Sequence, residues 1–173
     1  MVYIFLSSNN PMAFDYNFKN KEANFGPPIE KPVEGGTHIT FEILMKKNNK
    51  FIALRRPKGI PNHELPPKAK DHPNGLLYFC HGLIRYGETV EDCINRIVNE
   101  QAGVSVKDFE VSYIDSSVQE KDNQWAFIPH IIAEVDEIPK TNEDVTEVVE
   151  FDKDNIPEDF GWWTKEDLEE FLE

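Results

Sequence analysis

Apolar residues in this chain fall in short runs separated by polar, proline-rich or acidic stretches, and the period of each run predicts its element. His38 to Lys46 (HITFEILMK) and Phe51 to Arg55 (FIALR) are rich in strand formers and flank the polar Lys47, Asn48, Asn49 and Lys50. That pattern predicts a hairpin. Leu76 to Cys80 reads as a short strand leading into a loop that holds Gly82 and Gly87. From Thr89 to Ala102 the spacing becomes helical. Val90, Cys93, Ile94, Ile97 and Val98 form one stripe, Thr89 with Asp92 is a capping-box-like start, and Gly103 is a stop. Phe109 to Ser117 and Trp125 to Val135 are predicted strands joined by a charged turn, Glu120 to Asn123. Pro129 implies an edge position or a bulge in the second. A short strand near Val148 to Phe151 and a helix from an N-cap at Thr164 through Leu172 complete the pattern.

Two stretches carry no regular period. Residues 1–36 are punctuated by Pro, Gly and Asn too often for a long element and read as an N-terminal extension. Arg56 to Asn74 holds five prolines and reads as a long loop, a feature often tied to function. Strands, a helix, more strands and a last helix predict a mixed sheet covered by helices, an α+β or α/β/α layered domain over 37–173. A length of 173 residues suits one such domain.

Composition narrows the partners. Asp and Glu outnumber Lys and Arg 32 to 18, a net of -14, and 16 acidic against 3 basic residues lie from Glu134 onward. Duplex nucleic acid and anionic membranes repel such a chain, so neither is an expected partner. The apolar start, Val2 to Leu6, is too short for a signal-peptide core and no run approaches a membrane span, so a soluble, cytoplasmic protein is expected. Cys80 and Cys93 lack the spacing of a zinc site or a disulfide scaffold and read as packing residues.

The stretch Gly75 to Val104 carries the chemistry. A glycine-bearing loop feeding a helix brings backbone groups, an arginine and a carboxylate, Glu100, to one point, as a phosphate-and-metal site requires. Gly82, Glu88 after five residues, Arg96 after seven, Val98, Glu100, Gly103 and Val104 stand in the register of the Nudix box, which this stretch resembles. Gly75 to Phe79 and Gly87-Glu88-Thr89 extend the match. The box is altered at two points: Ile97 and Gln101 stand where the family carries glutamates.

The resemblance implies an α/β fold, a Nudix-like α/β/α sandwich with a mixed sheet, and a hydrolase of a nucleoside diphosphate linked to another moiety that uses Mg2+ or Mn2+. It implies Glu100 as a metal ligand, Gly82 as a carbonyl ligand, Gln101 as an amide ligand, and Glu88 with Arg96 as the ion pair tying loop to helix. The bland alternative for Glu100 is an exposed partner of Arg96 one turn earlier. Arg55, Arg56 and Lys58 are candidates to meet phosphates, against a solvated loop, and His81 is a candidate acid, base or space-filler. His63, Glu64, Asp71 and His72 have ligand chemistry without ligand spacing. Glu120, Glu134, Glu143 and Glu147 are candidates for a further catalytic glutamate, and Trp125, Phe127 and Tyr86 for stacking on a base. The altered box also fits a module that binds a nucleotide or protein without efficient turnover. A homodimer is compatible with either reading.

Overall fold

The computed structural model describes residues 37–56, 71–72, 74–85, 87–119 and 124–172. The extension 1–36, most of the proline-rich loop with Lys58, His63 and Glu64, Tyr86, and the turn with Glu120 lie outside them.

The first hairpin is β1 (Thr37–Lys47) and β2 (Lys50–Arg56), closed by Asn48 and Asn49 at φ 50° and 63°. Asparagine tolerates this left-handed region, and the resulting two-residue turn matches the twist of the strands it joins. The predicted strand at Leu76 to Cys80 is in fact two. β3 (Leu76–Tyr78) pairs with β2, and β4 (Cys80–Leu83) crosses to pair with β1. Gly82, expected in a loop, therefore lies in a strand opposite Phe41.

Helix α1 (Val90–Ala102) follows, with a reciprocal capping box between Thr89 and Asp92 and a left-handed Gly103 at its end. β5 (Val106–Gln119) and β6 (Gln124–Val135) form a long hairpin, β7 (Glu147–Phe151) adds to β2, and α2 (Lys165–Phe171) ends the described chain with its own capping box at Thr164. The seven strands make one sheet of order β3-β2-β1-β6-β5, with β4 on β1 and β7 on β2. β1 and β6 are parallel and the other pairs antiparallel, hence a mixed sheet.

The expected edge position for Pro129 is corrected, because β6 lies between β1 and β5. The β1–β6 register runs to Ile39 with Phe127 and resumes at Glu42 with His130, passing over the proline, which has no N–H to give. A register shift in β5 between Val111 and Tyr113 sits beside it.

Alternation along β1 builds two cores. Phe41, Ile43 and Met45 face α1, where Cys93, Ile94, Ile97, Val98 and Ala102 are buried. Leu44 faces the other way, toward Phe79, Phe160, Leu168 and Phe171 around α2. The fold is thus a three-layered α/β/α sandwich. Val90, assigned to the apolar stripe, is 43% exposed at the first position of the helix, and Ala102 at its last position is buried in the core. Both cysteines are free and buried. Among the described residues no helix is long and apolar enough to cross a membrane.

Candidate active site

Arg96 projects from the middle of α1 back over the loop that precedes it. Its Nε and Nη2 donate to the two carboxylate oxygens of Glu88, the second at 2.9 Å, and Nη2 also reaches the Leu83 carbonyl at 2.9 Å. Glu88 further accepts the Arg85 backbone N–H at 2.7 Å. One bidentate pair therefore holds the whole turn from Leu83 to Glu88 against the helix, a geometry that only a planar guanidinium provides. The Arg96 hydrogen bonds, chiefly, hold the Glu88 carboxyl down at about 2, well below the ordinary value of 4.5. A depressed folded-state pKa contributes stability that is complete above about pH 4.5 and is lost as pH falls through about 2. Acid titration of unfolding free energy is expected to show this loss in the wild type, and Glu88→Gln is expected to remove it.

Glu100 lies one turn beyond Arg96 with a side chain 48% exposed. Its two oxygens face Arg85 at 3.3 Å and Arg96 at 3.4 Å. These are long, exposed contacts that a competing cation or anion can displace at little cost. Arg85 is not among the residues that the sequence singles out, although its place between Gly82 and Gly87 in the glycine-bearing loop is a signal that could have found it.

The two altered positions of the box have structural roles. Ile97 is fully buried and packs on Gly82, where an added Cβ would come within 3.3 Å of both Ile97 Cδ1 and Cγ1. Glycine at 82 is what lets the helix approach the sheet this closely. Gln101 binds the backbone of His81 on both sides: its Oε1 accepts the N–H at 3.1 Å and its Nε2 donates to the carbonyl at 2.5 Å. Arg56 Nη2 donates to the same Oε1 at 3.1 Å. Both lone pairs of the amide oxygen expected to meet a metal are thus engaged, and the side chain acts as a brace between α1, β4 and β2. Gly82 likewise belongs to the β1–β4 ladder.

The other candidates are dispersed. Arg55 is paired with Glu147 and Asp159, each at 2.5 Å, and donates to the Gly75 carbonyl at 3.0 Å, so its charge is compensated. It lines a cavity of about 270 Å3 with Asp71, His72 and Glu147, apart from the helix contacts of Glu100. Glu134 stands beside Lys46 near the β1–β2 turn, and Glu143 is in the exposed loop after β6. Trp125, half exposed, donates to Ser116 Oγ at 2.7 Å, and with half-buried Phe127 sits on the β5–β6 hairpin. His81 is exposed, with Nδ1 3.3 Å from the Phe79 carbonyl.

Comparison with known proteins agrees with this architecture. An 85-residue segment is 28% identical to the NAD-capped RNA hydrolase NudC of Vibrio parahaemolyticus serotype O3:K6, covering 49% of this chain and 25% of that protein. The chain thus matches only about a quarter of the length of this curated relative. The MutT NUDIX hydrolase of Burkholderia pseudomallei superposes with a TM-score of 0.57 at 14% identity over 78% of this chain and 97% of that one. The MutT protein of Methanosarcina mazei Go1 gives 0.58 at 15% identity over 81% and 96%. At such identities the structural likeness speaks for the fold. The sequence model of the NUDIX domain matches residues 37–171, most of the chain, and on that ground the chain belongs to the Nudix family.

Proposed function

We propose that this domain is a Nudix-type hydrolase that cleaves a nucleoside diphosphate linked to another moiety with the help of Mg2+ or Mn2+. The observation that carries the reading is the Glu88–Arg96 latch, which holds a glycine-bearing loop rigidly on α1 while leaving Glu100 half exposed beside it. The relative named for hydrolysing NAD-capped RNA supports a nucleotide-linked substrate.

The donor set limits how a cation is held. Among the described residues no group of three or more His, Cys, Asp or Glu side chains is placed to bind one. Ile97 is core, the Gln101 oxygen is engaged, and Glu100 is the box carboxylate left to serve. Magnesium is commonly held by one or two carboxylates together with waters and substrate phosphates, so this set fits a cation that arrives with the diphosphate better than a resident one. When bound, such an ion polarises a phosphoryl oxygen and activates water. The chain's own part is positional. Glu100 offers the anionic contact, Arg85 is free to turn from Glu100 toward a phosphate oxygen, and Arg96 keeps the loop from moving away.

A panel of diphosphate-linked nucleotides with Mg2+ and Mn2+ tests this, comparing wild type with Glu100→Gln. Loss of turnover by roughly tenfold or more is expected, the usual scale for weakening a metal's surroundings. Unaltered turnover in Glu100→Gln would remove Glu100 from the site. Ile97 and Gln101 favour a second reading, a nucleotide-binding or regulatory module without efficient turnover. It predicts no hydrolysis of any panel member together with nucleotide-dependent thermal stabilisation.

A further inference from the structure

β5 is the last strand of the sheet, and among the described residues it pairs with β6 alone. At 14 residues it is far longer than the usual strand of about 5–6, so its outer side offers a long row of backbone N–H and C=O groups to a further strand.

The two faces of that edge differ in chemistry. Ile131 belongs to the core beneath α1, and residues paired in register share a face. Alternation along β6 therefore puts Phe127 and Trp125 on the α1 side, together with Val111, Ile114, Ser116 and Val118 of β5. The hydrogen bond from Trp125 to Ser116 agrees with this. The helix leaves the outer part of this face open. Val111, Ile114, Val118 and Trp125 are each between 48% and 61% exposed, and they make one apolar stripe rather than scattered single residues. On the opposite face Asp115 and Ser117 stand in solvent.

The described chain begins beside this stripe. Thr37 is in register with Trp125, and Trp125 with Val118, so the 36 residues before Thr37 join the fold at that end of the sheet. A strand added outside β5 lies three strand spacings from β1, about 14 Å. Among those residues Phe14, Asp15, Tyr16, Asn17 and Phe18 alternate aromatic and polar, the pattern of a strand with one apolar and one wet face. Lys19 to Gly36 leaves 18 residues of connection, and a coil of that length spans about 20–25 Å. The reach is sufficient.

Two other occupants fit less well. Val2 to Leu6 is apolar at every position and would set apolar side chains beside Asp115 and Ser117. A second copy of the chain meets a net charge of -14 and would set the acidic β5, with Asp108, Glu110 and Asp115, against itself. Residues 1–36, with 4 acidic and 3 basic side chains, meet no such repulsion.

We propose that Phe14 to Phe18 add as a further strand to the free edge of β5, with Phe14, Tyr16 and Phe18 covering Val111, Ile114 and Val118. The chain thereby closes its own exposed edge.

Amide hydrogen exchange of the full chain, followed by NMR, tests this. The β5 amides that point away from β6 are expected to be protected in the wild type and unchanged by tenfold dilution. In the triple variant Phe14→Ser, Tyr16→Ser, Phe18→Ser they are expected to exchange tenfold or more faster, with the α1 amides unmoved. Ile114→Thr with Val118→Thr, which keeps β-branched residues in the strand, is expected to release the same amides. Val2→Ser, Ile4→Ser and Leu6→Ser together are expected to leave β5 as in the wild type. The proposal is overturned by outward amides that exchange freely in the wild type, by protection that survives the triple change at 14, 16 and 18, or by a rise in exchange shared equally with α1. Loss of protection in the Val2, Ile4 and Leu6 variant would instead assign the edge to that segment, and protection that falls on dilution would assign it to a second copy; either result also overturns it.

Discussion

Ile97→Glu, the change that would return a family carboxylate to the box, is expected to destabilise the fold by about 3–5 kcal/mol without raising affinity for Mn2+. Ile97 is wholly buried in the cluster of Phe41, Ile43, Cys80, Cys93 and Ile94, and its tip lies against Gly82. A glutamate there loses the transfer free energy of the aliphatic side chain and must bury a carboxyl among groups with nothing to donate to it. Urea unfolding at pH 7 should show a lower midpoint with an unchanged slope, the mark of lost stability within the same fold. An unchanged midpoint with tighter Mn2+ binding would mean that α1 can lift from β4 and reopen the corner. Gln101→Glu is expected to be milder, about 1–2 kcal/mol, since it sets an oxygen against the His81 carbonyl while Arg56 still offers a donor.

Arg96→Ala is expected to cost about 3 kcal/mol, toward the low end for breaking a largely buried ion pair from one side. The Arg96 and Glu88 side chains are only 17% and 15% exposed, so removing the guanidinium strands a carboxylate and also leaves the Leu83 carbonyl without its donor. Differential scanning calorimetry should place Tm lower by about 5–10 °C. Arg96→Lys should recover little of this, because an ammonium cannot make the two parallel bonds and reach Leu83 as well. A double-mutant cycle with Glu88→Gln should give a coupling of at least about 1.5 kcal/mol. A Tm that does not move on Arg96→Ala would show that the turn from Leu83 to Glu88 holds its shape without the pair.

Much of this architecture is legible in the sequence because local chemistry and tertiary structure agree. The Thr89–Asp92 capping box and Gly103 stop bound α1, and the Lys47–Lys50 tetrapeptide closes β1 on β2. The split of Leu76–Cys80 into two strands was not legible, since an apolar run does not reveal that its halves pair with different neighbours. Pro129 marks an edge or a bulge in the sequence, and the structure has the irregularity: a gap in the β1–β6 register and a shift in β5 between Val111 and Tyr113 lie beside it inside the sheet.

Of the candidate site, the spacing of Glu88, Arg96 and Glu100 on loop and helix was readable, while the state of each partner was not. Arg55 has the right chemistry for a phosphate, yet Glu147 and Asp159, distant in sequence, already surround it. Gln101 reads as a weakened ligand until the His81 backbone is seen on both sides of its amide.

The parallel pairing of β1 with β6 has a kinetic consequence. Antiparallel hairpins close from nearby residues, whereas this seam joins strands on either side of α1 and β5 and must await a costly loop closure. The buried pairs along that seam, Ile43 with Ile131 and Met45 with Ala133, are therefore expected to form after the local hairpins.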